Sequence, residues 1–156
     1  MTADMKKSIP RRKQPRSCGE CHACCVTLGF EAREGEASFA KPHGVPCPQL
    51  VQLRCGIYED RPPVCRRFEC GWLSAPNLPD SLRPDRSGVL FSLNSNLHGD
   101  GDAVYAYELR PGALETGLVP WIIGKLTDQG QVVILVRDRE VEVLTAAAEP
   151  EPERAR

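Results

Sequence analysis

The 156 residues have the length of one compact domain, or of one domain with tails. A composition 41% hydrophobic and 26% charged, with net charge −1, makes no overall electrostatic case for a nucleic-acid or membrane partner. No stretch approaches the roughly 18 apolar residues that a membrane-spanning helix needs. All eight cysteines fall between Cys18 and Cys70, and fourteen prolines and thirteen glycines predict many turns and a loop-rich half.

Met1 to Arg16 is polar and basic, with Lys6, Lys7, Arg11, Arg12 and Lys13. It lacks the apolar core of a secretory signal peptide, so the expected compartment is the cytoplasm. The stretch reads as a disordered, solvated arm over 1–16. A weak contact with nucleic acid would call for interleaved aromatic residues, and there are none. Under reducing conditions structural disulfides are rare, and clustered cysteines are more naturally metal ligands.

Ser17-Cys18-Gly19-Glu20-Cys21-His22-Ala23-Cys24-Cys25 comes next. Ser17 and Glu20 have the spacing of a capping box, which predicts a helix from Cys18 to about Leu28. At about 100° per residue its four thiols fall within an arc of about 120°. Cys18 at the helix N-terminus would then favour its thiolate. Lys41 to Pro48 is too rich in proline for a regular element and should carry Cys47 in an extended loop. Leu50, Val51 and Leu53 offer a little core before Cys55. Proline is tolerated in a first helical turn, so a helix from about Pro62 to Phe68 would present Cys65, with Cys70 just beyond it. Ile57, Tyr58, Phe68, Trp72 and Leu73 are the expected apolar wall around the thiols.

Ala75 to Arg86, rich in Pro, Asn, Asp and Ser, reads as a linker. Beyond it the cysteines stop and β-branched alternation begins. Val89, Phe91 and Leu93 share one strand face, and Tyr105, Tyr107 and Leu109 share the next. Asn94 to Asp102 is the connecting turn, with His98, Asp100 and Asp102 as turn residues. Leu114, Leu118, Ile122 and Leu126 repeat at helical spacing, and Pro120 implies a kink or a late start. Gln131 to Val136 and a strand through Val141, Val143 and Leu144 follow, joined across Arg137 to Arg139. The expected fold class is α+β: a loop-rich cysteine module with short helices over 17–74, a linker over 75–86, and a small antiparallel ββαββ half over 87–145. Residues 146–156 are expected to be a disordered tail.

A tetrahedral zinc site takes four thiolate or imidazole ligands as short-spaced pairs, and Cys18-x2-Cys21 fits one such pair. Adjacent Cys24 and Cys25 fit one mononuclear site poorly, because neighbouring thiols point in different directions. An iron–sulfur cluster also takes four cysteines, often with x2 spacing. Cys18, Cys21, Cys24, Cys25, Cys47, Cys55, Cys65 and Cys70 are the expected ligands, in two four-ligand centres or one polynuclear centre. Soft thiolates suit zinc, copper(I) and iron–sulfur clusters alike. His22 and His43 are substitute or supporting donors. Arg61, Arg66 and Arg67 would offset thiolate charge.

The run Cys18-x2-Cys21-x2-Cys24-Cys25, followed by Lys-Pro-x-Gly-x-Pro-Cys47-Pro and Cys55-x-Ile-Tyr-Glu-x-Arg-Pro-x-x-Cys65-Arg-x-Phe-x-Cys70, resembles the YkgJ-type cysteine-cluster family. That family is also described as the CxxCxxCC zinc- or iron-chelating domain. The resemblance spans about residues 17–73. It implies a bacterial-type cytoplasmic protein that binds zinc or iron. Flagellin lysine methylases with a similar motif add an iron–sulfur cluster and protein modification as a second expectation. No Ser/His/Asp signature, phosphate loop or His-Glu-x-x-His run accompanies the cysteines, which leans against an enzyme. Asp80 and Asp85 read as turn formers. A third reading makes the ββαββ half a face for an unknown protein partner, favoured if Tyr105 or Trp121 is exposed.

Overall fold

The computed structural model describes residues 16–30, 40–93 and 103–146. The basic arm before Arg16, the turn over 94–102 with His98, Asp100 and Asp102, and the tail beyond 146 lie outside the described residues.

The first half is built from very short elements: α1 (Ala23–Thr27), β1 (Leu50–Val51), β2 (Arg54–Cys55), α2 (Pro63–Arg67) and α3 (Gly71–Ser74). Helix α1 does not start at Cys18. Gly19 takes a left-handed φ of +55° and opens a turn in which the Cys21 N–H donates to the Cys18 carbonyl at 2.9 Å. Glu20 is drawn away to Arg54 instead of reaching back to Ser17. The expected capping box therefore fails, and His22 becomes an N-cap without a side-chain bond. Helix α2 does form as expected, with Pro63 in its first turn and Cys65 in its middle. The strands β1 and β2 make a hairpin whose Val51 and Leu53 are exposed, so the small core expected there is absent.

Two short helical turns follow in residues 75–86, the stretch read as a linker: a 3-10 turn at Asp80–Leu82 and α4 (Pro84–Ser87). Leu82 and Pro84 are both fully buried. Next come β3 (Val89–Ser92), β4 (Val104–Glu108), a 3-10 turn at Ala113–Glu115, α5 (Val119–Asp128), β5 (Val133–Arg137) and β6 (Glu140–Leu144). Pro120 sits in the first turn of α5, so the proline sets a late start as expected. The strand order is β3-β4-β5-β6. The α+β class and the ββαββ order hold, but the sheet is not wholly antiparallel. Strands β4 and β5 pair in parallel, Tyr105 opposite Ile134, with antiparallel neighbours on each side. The physical reason is the connection: the segment carrying α5 is long enough to cross over and return the chain in the same direction.

Strand β4 reads Val-Tyr-Ala-Tyr with all four residues buried, the pattern of a strand covered on both faces. On β6, in contrast, Val141 and Val143 stay exposed at the sheet edge, where Glu140 and Glu142 supply charge. The buried core is continuous across both halves: Ala23, Leu28, Cys70 and Trp72 belong to the same cluster as Val89, Tyr107 and Val133.

Two glycines mark where backbone runs against backbone or sheet. A Cβ at Gly29 would lie 2.5 Å from the His43 nitrogen, and one at Gly71 would lie 2.9 Å from the Phe91 Cβ. Backbone cannot step aside as a side chain can. Gly29→Ala is therefore expected to cost about 2–3 kcal/mol, at the upper end for overpacking. Gly71→Ala should cost about 1–2 kcal/mol, because the overlap with the Phe91 Cβ is smaller. Urea midpoints of both variants check the order; equal midpoints would show that the 42–43 backbone yields freely.

Candidate metal centre

Seven of the eight cysteines (Cys18, Cys21, Cys24, Cys25, Cys47, Cys55 and Cys65) line one cavity of about 430 Å³. Cys70 is buried in the core cluster against which Cys21 and Cys24 pack. All eight are free thiols. Each arrives by a separate local device. The turn at Gly19 and α1 deliver the first four. The Cys47 N–H donates to the Cys25 carbonyl at 2.8 Å, which fixes the proline-rich loop beside α1. The hairpin pairs Cys55 with Leu50, and α2 turns Cys65 inward. Cys70 caps α3 with extended backbone geometry.

The walls are apolar as expected at Ile57, Tyr58 and Phe68, but Trp72 and Leu73 are elsewhere: Trp72 is in the core. His22 lines the cavity, whereas the exposed His43 does not and lies with its ring 5.3 Å from that of Tyr107. Arg61 lines it too, donating to the Tyr58 carbonyl at 2.7 Å with its guanidinium 3.6 Å over the Tyr58 ring. Arg66 is spent on the carbonyls of Arg61 and Glu59, and Arg67 is exposed. The cation that sequence reasoning missed is Lys41, only 6% exposed, whose Nζ donates to the Val45 carbonyl at 2.7 Å. Burial lowers its pKa, and the surrounding Cys47, Cys25, Cys24 and Cys65 act in the opposite sense. Its signal was its place opening the Lys-Pro-x-Gly-x-Pro-Cys run.

The thiols are electrostatically unequal. Cys24 donates its S–H to Cys25, which pulls Cys25 down to about 6 while raising Cys24. Burial raises Cys18 and Cys70, and pushes Cys65 up to about 11. Cys18 thus departs from the helix-terminus expectation. It lies in a turn and is desolvated, so its thiol is favoured. Among the described residues, no three His, Cys, Asp or Glu side chains stand close enough together to hold a metal ion. The fold gathers the thiols round one cavity without assembling them into a coordination sphere.

Residues 17–79 match the model of the CxxCxxCC family, whose description reads "putative zinc- or iron-chelating domain". The match takes in all eight cysteines, Lys41 and Arg61, and nothing of the sheet that follows. No match was found among curated proteins or among solved structures. The donor set suits the family description: of eight free thiols, soft donors for zinc or iron, seven line one cavity. No helix among the described residues is long and apolar enough to cross a membrane.

Proposed function

We propose that the CxxCxxCC domain binds zinc or iron through Cys18, Cys21, Cys24, Cys25, Cys47, Cys55, Cys65 and Cys70, and that the bound metal fastens the loop-rich half. The observation that carries this reading is the gathering of seven free thiols round one cavity, with the eighth in the core against which Cys21 and Cys24 pack. Lys41 and Arg61 hold positive charge at the cavity and offset the thiolates. Free thiols on this scale support a reducing compartment such as the cytoplasm. An iron–sulfur cluster is the finer form of the reading, and would supply one-electron chemistry. Anaerobic purification with metal and sulfide analysis tests it: colourless protein holding zinc rejects the cluster, brown protein with inorganic sulfide supports it, and metal-free protein sinks the whole proposal.

Partner binding through the sheet half draws mixed support. Trp121 is 54% exposed with the Lys125 ammonium 5.2 Å from its ring, whereas Tyr105 is 4% exposed.

Metal loading should expel protons. Cys18, Cys24, Cys65 and Cys70 are raised above the usual thiol range, so at pH 7 each carries a proton that metal must displace. Cys25, held down to about 6, contributes little. Zinc binding at pH 7 is therefore expected to release at least those four protons, and affinity should fall as pH falls. Each displaced proton steepens that fall by about tenfold per pH unit. Calorimetry in buffers of different ionisation enthalpy counts the protons; release of fewer than two would contradict protonated thiols as donors.

A further inference from the structure

Adjacent residues on a helix point about 100° apart, so Cys24 and Cys25, although joined by one S–H···S hydrogen bond, have different further neighbours. Cys24 packs with Cys21 against the core cluster that contains Cys70. Cys25 is tied by its backbone to the loop: its carbonyl accepts the Cys47 N–H at 2.8 Å, and the Cys47 carbonyl accepts the Leu50 N–H at 3.0 Å. Leu50 is in register with Cys55 across the hairpin. From these placements we infer that the eight thiols form two nested four-thiolate centres, Cys18/Cys21/Cys24/Cys70 and Cys25/Cys47/Cys55/Cys65, each for one thiophilic divalent cation. This rests on the metal-binding reading above and says how its ligands divide.

Several electrostatic neighbours fall along the same line, while the Cys24–Cys25 hydrogen bond joins the two sets. Cys18 feels Cys70 and Cys21 most strongly among the thiols, and Cys70 feels Cys21. Cys65 feels Cys25, Cys47 and Cys55. Cations stand near both groups: Arg83 beside Cys21, Lys41 beside Cys47, Cys25, Cys24 and Cys65, and Arg61 near Cys18, Cys25 and Cys65. The division explains the Cys-Cys doublet: one residue serves each centre, and the inner set closes within the outer. Four thiolates round a divalent ion leave net negative charge, which these cations offset.

The test uses the full chain, reduced and anaerobic. Zinc is titrated against a chromophoric chelator, and cobalt(II) is added separately to report tetrahedral thiolate absorption. Two tight equivalents are expected. Cys55→Ser should lose one equivalent and about half of the cobalt–thiolate absorption, and so should Cys18→Ser, chosen because buried Cys70 is a riskier site for folding. The decisive comparison is between double variants. Substituting Cys55 and Cys65 together should still cost one equivalent, whereas substituting Cys18 and Cys55 should cost both. Hydrogen exchange at β4 and β5 confirms that each variant keeps its sheet. One equivalent in the parent chain, loss of both after a single substitution, or double variants that behave alike would overturn the division while leaving metal binding intact. No thiol-dependent metal at all would instead overturn the reading it rests on.

Discussion

Chelating the metal from reduced protein is expected to unfold most of residues 17–74 while β3 to β6 keep their pairing. The local elements cannot stand alone. Helices α1 and α2 have five residues each and α3 has four, far below the roughly 12–15 at which an isolated helix becomes even marginal. The hairpin has two residues per strand, and isolated hairpins are marginal at best. Apolar burial gives little help, since Val51, Leu53 and Tyr58 are exposed and Ala23, Leu28 and Trp72 are the main contributors to the core. Metal binding in zinc-finger peptides is worth about 10–16 kcal/mol, enough to decide between folded and unfolded for a module of this kind. The sheet differs: Val89, Leu90, Val104, Ala106, Val133 and Leu135 are almost wholly buried. Amide exchange is the measurement. Protection at α1 and at Cys47 to Cys55 should collapse by several orders of magnitude on chelation and return with zinc. Protection in β4 and β5 should fall far less. A change under about tenfold at α1 would mean that packing alone holds the cysteine module.

Arg16→Ala is expected to destabilise the chain by about 2–4 kcal/mol. The Arg16 guanidinium donates to the carbonyls of Trp72 at 2.5 Å, Ala75 at 3.0 Å and Pro76 at 3.0 Å, and also to that of Leu78. It lies 4.4 Å from the Trp72 ring centroid, and its side chain is only 13% exposed. Those carbonyls include the unsatisfied end of α3, which has no other described cap beyond the Ala75 N–H donating to Gly71. A charged hydrogen bond contributes about 1.5–3 kcal/mol, but the exposed carbonyls would recover water, so the four do not add. Arg16→Lys should recover less than half of the loss, because an ammonium cannot fork to four acceptors and stack on an indole at once. Urea midpoints at constant slope give the values. A loss below about 0.5 kcal/mol for the alanine variant would show the clamp to be incidental.

The clamp also shows where sequence reading ran out. Arg16 sits at the end of a basic stretch read as a solvated arm, and nothing local distinguishes it from Arg11 or Arg12. Its role exists because the chain some sixty residues later brings four carbonyls and an indole to meet it. The capping box failed for a similar reason. Ser17 and Glu20 have the right spacing, but a left-handed Gly19 and a distant Arg54 outcompete it. Local propensity is a weak prior once tertiary partners are available.

What the chain itself determined is its chemistry. Eight soft donors confined to Cys18–Cys70, with prolines that forbid long elements between them, specify a metal-binding character and a loop-rich module before any fold is known. Alternating Tyr105, Tyr107, Val141 and Val143, and a Pro120 that delays a helix, specify the ββαββ order. Tertiary structure alone decided the rest: that β4 and β5 run parallel, that Lys41 rather than Arg66 or Arg67 is the buried cation, and that the Cys24 thiol bonds to Cys25. The reason is physical. Ligand type and periodicity are properties of neighbouring residues, whereas strand direction, burial of a charge and the company a thiol keeps depend on segments far apart in sequence packing together.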